Sequence, residues 1–262
     1  MPSINDPRAD AAKFLQMYAR LSSITMGTLI NQYTYHDIRR LIAVRGDDVE
    51  ATDEDPLAVQ IVDGIKALPR AGGREVDVEP SSSLAALFQE HDLARALRPK
   101  LWVGLDLRRD EEGVCGMLTA CSFERDSALS TQRFTHDYCQ RHRLPKLDAS
   151  WLLVDVISSA KQGTGALLLL HALVHAHRAK KQGVASIAVT QGGRRLFESF
   201  GFHTGHSWKE GGATRHLAHA RLADVHLGAI HARLRVHDSL IEDTCLRNGL
   251  TARTSDRLIG RC

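Results

Sequence analysis

At 262 residues, with 43% hydrophobic, 25% charged and 5% aromatic side chains, the chain is long enough to bury one large core or two small ones. No run of about 18 apolar residues is present, which excludes a spanning helix, and the basic-then-apolar start of a secretory signal is missing. Five cysteines without paired spacing fit a reducing compartment, so a cytoplasmic location is expected.

In chain order, residues 1–23 read as a helical extension, with an amphipathic helix over Ala11–Leu21. Ile24–Gln32 reads as a first strand. Thr34 and Asp37 then have the spacing of a helix cap for a helix through Ile42. The acidic run Asp47, Asp48, Glu50, Asp53, Glu54, Asp55 is either a solvated loop or a lure for a cationic amine. Pro56–Leu68 and Ser83–Leu97 read as helices around a Pro-, Gly- and Ser-containing surface loop at 70–83. Leu101–Leu107 and Val114–Phe123 form a predicted hairpin across a charged turn. Cys115 and Cys121 lie an even number of residues apart on its second strand, so they are expected on one face as core thiols. His203–Trp208 and Arg215–Leu222 read as a last strand pair around Gly211-Gly212. Residues 223–248 carry helical apolar spacing that packs on the core by default and otherwise makes a homodimer; 249–262 reads as a polar tail with a free Cys262.

The chemistry concentrates between these blocks. The apolar strand Trp151–Ile157 runs through a polar loop holding Gly163 and Gly165 into the Leu-rich helix that follows. Such a turn leaves backbone N–H groups unpaired at a helix N-terminus, where the dipole favours an anion, and glycine lets a phosphate approach the backbone. The P-loop pattern and the third glycine of the dinucleotide fingerprint are both missing. What remains resembles the acetyl-CoA loop of the GNAT N-acetyltransferase superfamily, with Ala160 standing where that loop usually has Gln or Arg. After a short strand at Ala185–Thr190, the run Thr190 to Phe202 is similar to the superfamily's later motif: Leu196, Glu198, Gly201 and Phe202 match, while Thr190, Gly193 and Phe197 replace Asn, Ala and Tyr.

The resemblance covers 98–222 best and extends over 24–222. It implies an α/β fold (α+β): a mixed, mostly antiparallel sheet flanked by helices, here with helical N- and C-terminal extensions. It implies acetyl-CoA as cosubstrate and direct transfer of the acetyl group to a primary amine acceptor, small molecule or protein. The implied cofactor contacts are Val156, Ile157, Lys161, Gln162, Gly163, Thr164, Gly165, Ala166, Thr190, Arg194 and Phe197. A backbone N–H of Val156 or Ile157 would stabilise charge on the thioester carbonyl. Asp155 and Glu124 are the candidate bases. The usual Tyr acid is Phe197, so the thiolate leaves unaided, or Ser199, Cys121 or His203 substitutes, or the chain is an acyl-CoA-binding regulatory module without turnover.

Charge supports an anionic ligand. Ser158–Leu222 holds nine basic and two acidic side chains, a balance of +7, whereas the first 60 residues hold six and nine, a balance of −3. Lys180 and Lys181 complement a helix C-terminus, but Arg194 and Arg195 open a helix, where cations gain nothing from the dipole. Few aromatics accompany this basic half, which ranks nucleic acid last. His171 and His175 share a helix face, but no carboxylate or cysteine completes a metal shell, so no metal is expected.

Overall fold

The computed structural model describes residues 7–46, 48–52, 55–69, 85, 99–108, 113–122, 140–141, 147–148, 150–188, 190–210, 212–234, 236–250, 256 and 258–259. Glu124, Asp47, Asp53, Glu54, Cys262 and, Ala85 aside, the expected 70–83 loop and 83–97 helix lie outside them. The elements are α1 (Pro7–Met26), β1 (Thr28–Tyr33), α2 (Tyr35–Leu41), β2 (Ile42–Arg45), β3 (Asp48–Ala51), α3 (Pro56–Lys66), β4 (Lys100–Asp106), β5 (Gly113–Ser122), β6 (Trp151–Ser159), α4 (Thr164–Arg178), β7 (Gly183–Ala188), α5 (Gln191–Glu198), β8 (His203–Glu210), β9 (Ala213–Arg221), α6 (Gly228–Leu234) and α7 (Asp238–Arg247).

Among the described residues seven strands form one sheet in the order β1-β4-β5-β6-β7-β9-β8, antiparallel throughout except for β6 and β7, which run parallel. Helices cover both faces. This is the mixed, mostly antiparallel architecture that the resemblance implies. On one face α1 and α4 share a hydrophobic cluster with strand residues Trp102, Leu118, Ala120, Leu152 and Val154. On the other, Ile38 of α2 and Ile61, Val62 and Ile65 of α3 pack against Leu101, Val103, Leu105 and Met117. Leu167, Leu168, Leu169 and Leu170 of α4 are all fully buried. A helix apolar on every side must be enclosed, and α4 is, between the sheet and α1. Each such leucine contributes roughly 1.5–3 kcal/mol of burial.

The cap at α2 forms as its sequence predicts: Asp37 N donates to Thr34 Oγ1 at 3.3 Å and Thr34 N donates to Asp37 Oδ2 at 2.8 Å. Elsewhere the structure corrects the sequence reading. Ile24–Met26 belong to α1 and not to the first strand, because the helix runs on until Gly27 ends it in the left-handed region at φ +57°. The described residues of the acidic run, Asp48, Glu50 and Asp55, are not in an open loop: β2 and β3 pair as a hairpin carrying an Arg45–Glu50 ion pair, and Asp55 caps α3 by accepting from Leu57 N and Ala58 N.

Cys115 and Cys121 are buried free thiols but do not share a face. Gly104 pairs with Gly116 and Leu105 with Val114, so Cys115 is the extra residue of a β-bulge. Its Sγ lies 3.7 Å from Thr164 Oγ1, whereas Cys121 packs with Leu153, Ala185 and Leu217. The C-terminal end is not a free polar tail either. Leu250, Leu258 and Ile259 are buried in the α1–α4 cluster, and Leu227 N donates to Leu258 O at 2.6 Å. That cluster also takes in Leu227, Ile230 and Leu234, so α6 packs within the chain.

Candidate functional site

Parallel pairing of β6 and β7 covers only Trp151–Val154 against Gly183–Ser186. Beyond it the strands part, and a cavity of about 1180 Å³ is lined by residues 155–159 on one side and Ser186, Ile187 and Ala188 on the other. A second irregularity lies at its edge. Thr119 pairs with Val156 and Ala120 with Val154, which makes Asp155 the extra residue on β6. The bulge turns the strand locally. Asp155, half-buried, lines the cavity, and the backbone at Val156 and Ile157 borders it on the side where β7 no longer pairs.

The glycine loop closes one end. Gly163 precedes α4 with φ +87°, a conformation that favours glycine, and a Cβ there would meet Met26 Cε at 2.7 Å. Among the described residues no side chain caps α4, and no acidic residue stands in its first turn to neutralise its N-terminal N–H groups. Gly163, Gly165 and Ala166 all line the cavity, as do Lys161 and Gln162. Lys161, however, is already engaged: its Nζ donates to Asp106 Oδ1 at 2.8 Å, Met26 O at 2.9 Å and Thr28 Oγ1 at 3.1 Å. It ties the loop to α1, β1 and β4. Thr164 does not line the cavity. It is fully buried beneath the loop, where Gly104 and Gly116 make room for its methyl group: a Cβ on Gly116 would lie 2.8 Å from Thr164 Cγ2.

The later motif closes another wall. Thr190 Oγ1 accepts from Gly193 N at 3.0 Å and starts α5, whose Gly192, Gly193, Arg195, Leu196 and Phe197 line the cavity. Arg194 points elsewhere, with Nε 2.7 Å from Glu198 Oε1 and 3.3 Å from Thr204 Oγ1. The hydrogen bond that Thr204 Oγ1 donates to Glu198 Oε1 at 2.5 Å and, after it, the one from Arg194 hold the Glu198 carboxyl below its ordinary range. Phe197 is buried against Phe202, ring centroids 5.1 Å apart. Ser199 follows α5 as its C-cap, its hydroxyl donating to Leu196 O at 2.6 Å, and is not among the lining residues.

The structure thus brings Asp155, Val156, Ile157, Lys161, Gln162, Gly163, Gly165, Ala166, Thr190 and Phe197 to one cavity and leaves Thr164, Arg194 and Ser199 outside its lining. Cys121 and His203 are also off it: burial pushes the Cys121 thiol up to about 12, and His203 lies tilted against His219, ring centroids 5.8 Å apart. The described acidic residues Asp48, Glu50 and Asp55 do not line it. Sequence reasoning did not single out Arg108, Arg215 or Arg233 as lining residues. The i,i+4 spacing of Arg194 and Glu198 is the signal that favours Arg195 over Arg194. Nothing local marks Arg233, which reaches the cavity from α6. His171 and His175 carry no metal geometry; among the described residues no group of three possible ligands exists. Burial, the first cause for each, lowers both to about 4.

Among solved structures, chains of N-acetyltransferases are similar to this one. A chain of the NatC complex bound to Gag peptide and CoA matches with 11% identity and a TM-score of 0.44, over 75% of this chain and 99% of its own. A ribosomal-protein-alanine N-acetyltransferase from Brucella melitensis matches with 15% identity and a TM-score of 0.39, over 74% and 99%. An N-acetyltransferase from Staphylococcus aureus Mu50 matches with 14% identity and a TM-score of 0.39, over 74% and 98%. No family model matches the chain, and no curated protein matches it.

Proposed function

We propose that the chain is an acetyl-CoA-dependent N-acetyltransferase that moves the acetyl group directly to a primary amine. One observation carries this reading: an uncapped helix N-terminus behind a glycine loop and the start of α5 converge on a single cavity where two parallel strands part. The residues suit the cosubstrate. The N–H groups at Gly165 and Ala166 suit its pyrophosphate, and Gly192, with nothing within 4 Å of a would-be Cβ, lines the same cavity.

Acetyl-CoA supplies an activated thioester. The chain's part is to place it and to manage one proton and one developing charge. A backbone N–H of Val156 or Ile157, on the stretch of β6 without a β7 partner, suits the carbonyl oxygen as negative charge builds there. Asp155, turned by the bulge into the cavity wall, is the base that takes a proton from the amine, directly or through water. Phe197 has no proton to give, and the thiolate leaves unaided because its conjugate acid has a pKa of about 8–9.

Phe197 also favours a second reading, an acyl-CoA-binding module without turnover. Free-thiol release from acetyl-CoA, measured against a panel of primary amines, separates the two, alongside calorimetric titration of the wild type and Gly165→Glu. Binding with release supports the transferase, and binding without release supports the module. A folded wild type that does not bind acetyl-CoA refutes both.

A further inference from the structure

The cationic side chains around the cavity are not equivalent. Lys161 is paired with Asp106 and Arg194 with Glu198. Arg195 on α5 and Arg233 on α6 both line the cavity and are both exposed, and among the described residues neither has a carboxylate within salt-bridge distance. The next residue along each helix, Leu196 and Leu234, lines the same cavity and packs in the same hydrophobic cluster. Both guanidinium groups therefore belong to the lining of one cavity, Arg233 on the wall that α6 makes. That wall is anchored: Tyr18 Oη and His231 Nδ1 are 2.7 Å apart and His231 Nε2 lies 2.8 Å from Asp238 Oδ1, which ties α6 to α1 and α7.

We propose that Arg233, with Arg195, forms a second anion site that takes the 3′-phosphate of CoA, so that the C-terminal extension completes the cosubstrate site. This rests on the acetyl-CoA reading above. The glycine loop accommodates the pyrophosphate, and the other phosphate of CoA is a monoester. With a second pKa near 6, it is close to a dianion at neutral pH. A planar guanidinium meets such a group with two parallel charge-assisted hydrogen bonds, and two unneutralised guanidiniums match its charge.

The test is a binding cycle. Wild type, Arg233→Gln and Arg195→Gln are titrated calorimetrically with CoA and with dephospho-CoA, which lacks only the 3′-phosphate. Wild type is expected to bind CoA at least about tenfold tighter than dephospho-CoA, one good charge-assisted contact or more. Each variant is expected to lose most of that preference through a weaker Kd for CoA, its Kd for dephospho-CoA staying within about twofold of wild type. Equal affinity of wild type for both ligands overturns the proposal, as does an Arg233→Gln variant that retains the preference or weakens both ligands alike. Wild type that binds neither ligand sinks the acetyl-CoA reading itself, a different result from any of these. Both arginines are exposed, and an unchanged thermal midpoint confirms that each variant is folded.

Discussion

Gly192→Glu should move stability and ligand affinity in opposite directions. Gly192 is the second residue of α5, lines the cavity, and has no heavy atom within 4 Å of the position a Cβ would take. Replacing a helical glycine gains about 0.5–1 kcal/mol of propensity, and an acidic group in the first turn adds about 0.3–1 kcal/mol against the dipole. The apo protein should therefore melt about 2–4 °C higher. In the proposed acetyl-CoA complex the same carboxylate would stand near the pyrophosphate. At about 6 Å, each pair of like charges costs roughly 0.7 kcal/mol in water and near 3 kcal/mol at an effective dielectric constant of 20. With two phosphate charges the Kd for acetyl-CoA should rise at least about tenfold, and added salt should narrow the gap. Thermal melts without ligand and calorimetric titration with it measure the two effects. Gly192→Gln, with the bulk but not the charge, should keep most of the affinity. A folded Gly192→Glu protein that binds acetyl-CoA like wild type would refute the placement of the pyrophosphate beside α5. A melt lowered by several degrees would refute the open-space reading.

Lys161→Met removes the cation from a mostly buried Asp106, which keeps the backbone N–H of Arg108 as a donor. Because the lysine is 24% exposed, the expected loss lies below the range for fully buried pairs, about 2–3 kcal/mol in urea unfolding, and a loss under 0.5 kcal/mol would show that the loop is not tied down this way. Gly116→Ala places a methyl 2.8 Å from Thr164 Cγ2 and 3.0 Å from the Ser158 carbonyl. That overpacking should cost about 1–3 kcal/mol by thermal melt and weaken acetyl-CoA binding by shifting the start of α4. Burial keeps His171 and His175 neutral in the fold, with values lowered from 6.5 to about 4. The unfolded chain then binds protons that the native one refuses, so their contribution is complete above about pH 6.5 and falls as pH drops towards 4. Unfolding free energies from urea titration at pH 7 and pH 5 should differ by about 1–2 kcal/mol per histidine, and the His171→Gln/His175→Gln variant should show a shallower dependence on pH.

The legible parts of this chain are those with strong local chemistry. The Thr34–Asp37 cap, the glycine loop before four leucines and the Thr190 start of α5 each declare themselves within a few residues, and each stands where the sequence predicts. The rest depends on what lies across space. Alternation cannot reveal a bulge, so it misplaced Cys115 and gave no sign that Asp155 is an extra residue on β6. Charge alone hid the β2–β3 hairpin, because its alternation is short and polar. Lys161 looked available for a phosphate because its partner Asp106 lies 55 residues away in sequence. Arg194 and Arg195 are distinguished in the fold by the rotation of α5, which Phe197 and Leu196 fix by packing, and in the sequence by the i,i+4 spacing of Arg194 and Glu198.

The cavity is a product of chain segments far outside the two motifs. Its lining starts at Thr25 and Met26 at the end of α1 and reaches Arg233 and Leu234 on α6. Those same ends meet in the core: Phe14, Leu15 and Tyr18 of α1 are buried in the cluster that buries Leu227, Ile230 and Leu234. A close-packed interior transmits displacement, so loosening α6 should also loosen α1 and, through Met26, the loop at Gly163. The extensions are therefore part of what holds the glycine loop in its shape. A fragment cut at the motif boundaries would expose the buried faces of α4 and free Met26 from its place over Gly163. Failure of such a fragment to bind would report on the missing walls and not on the chemistry of the loop.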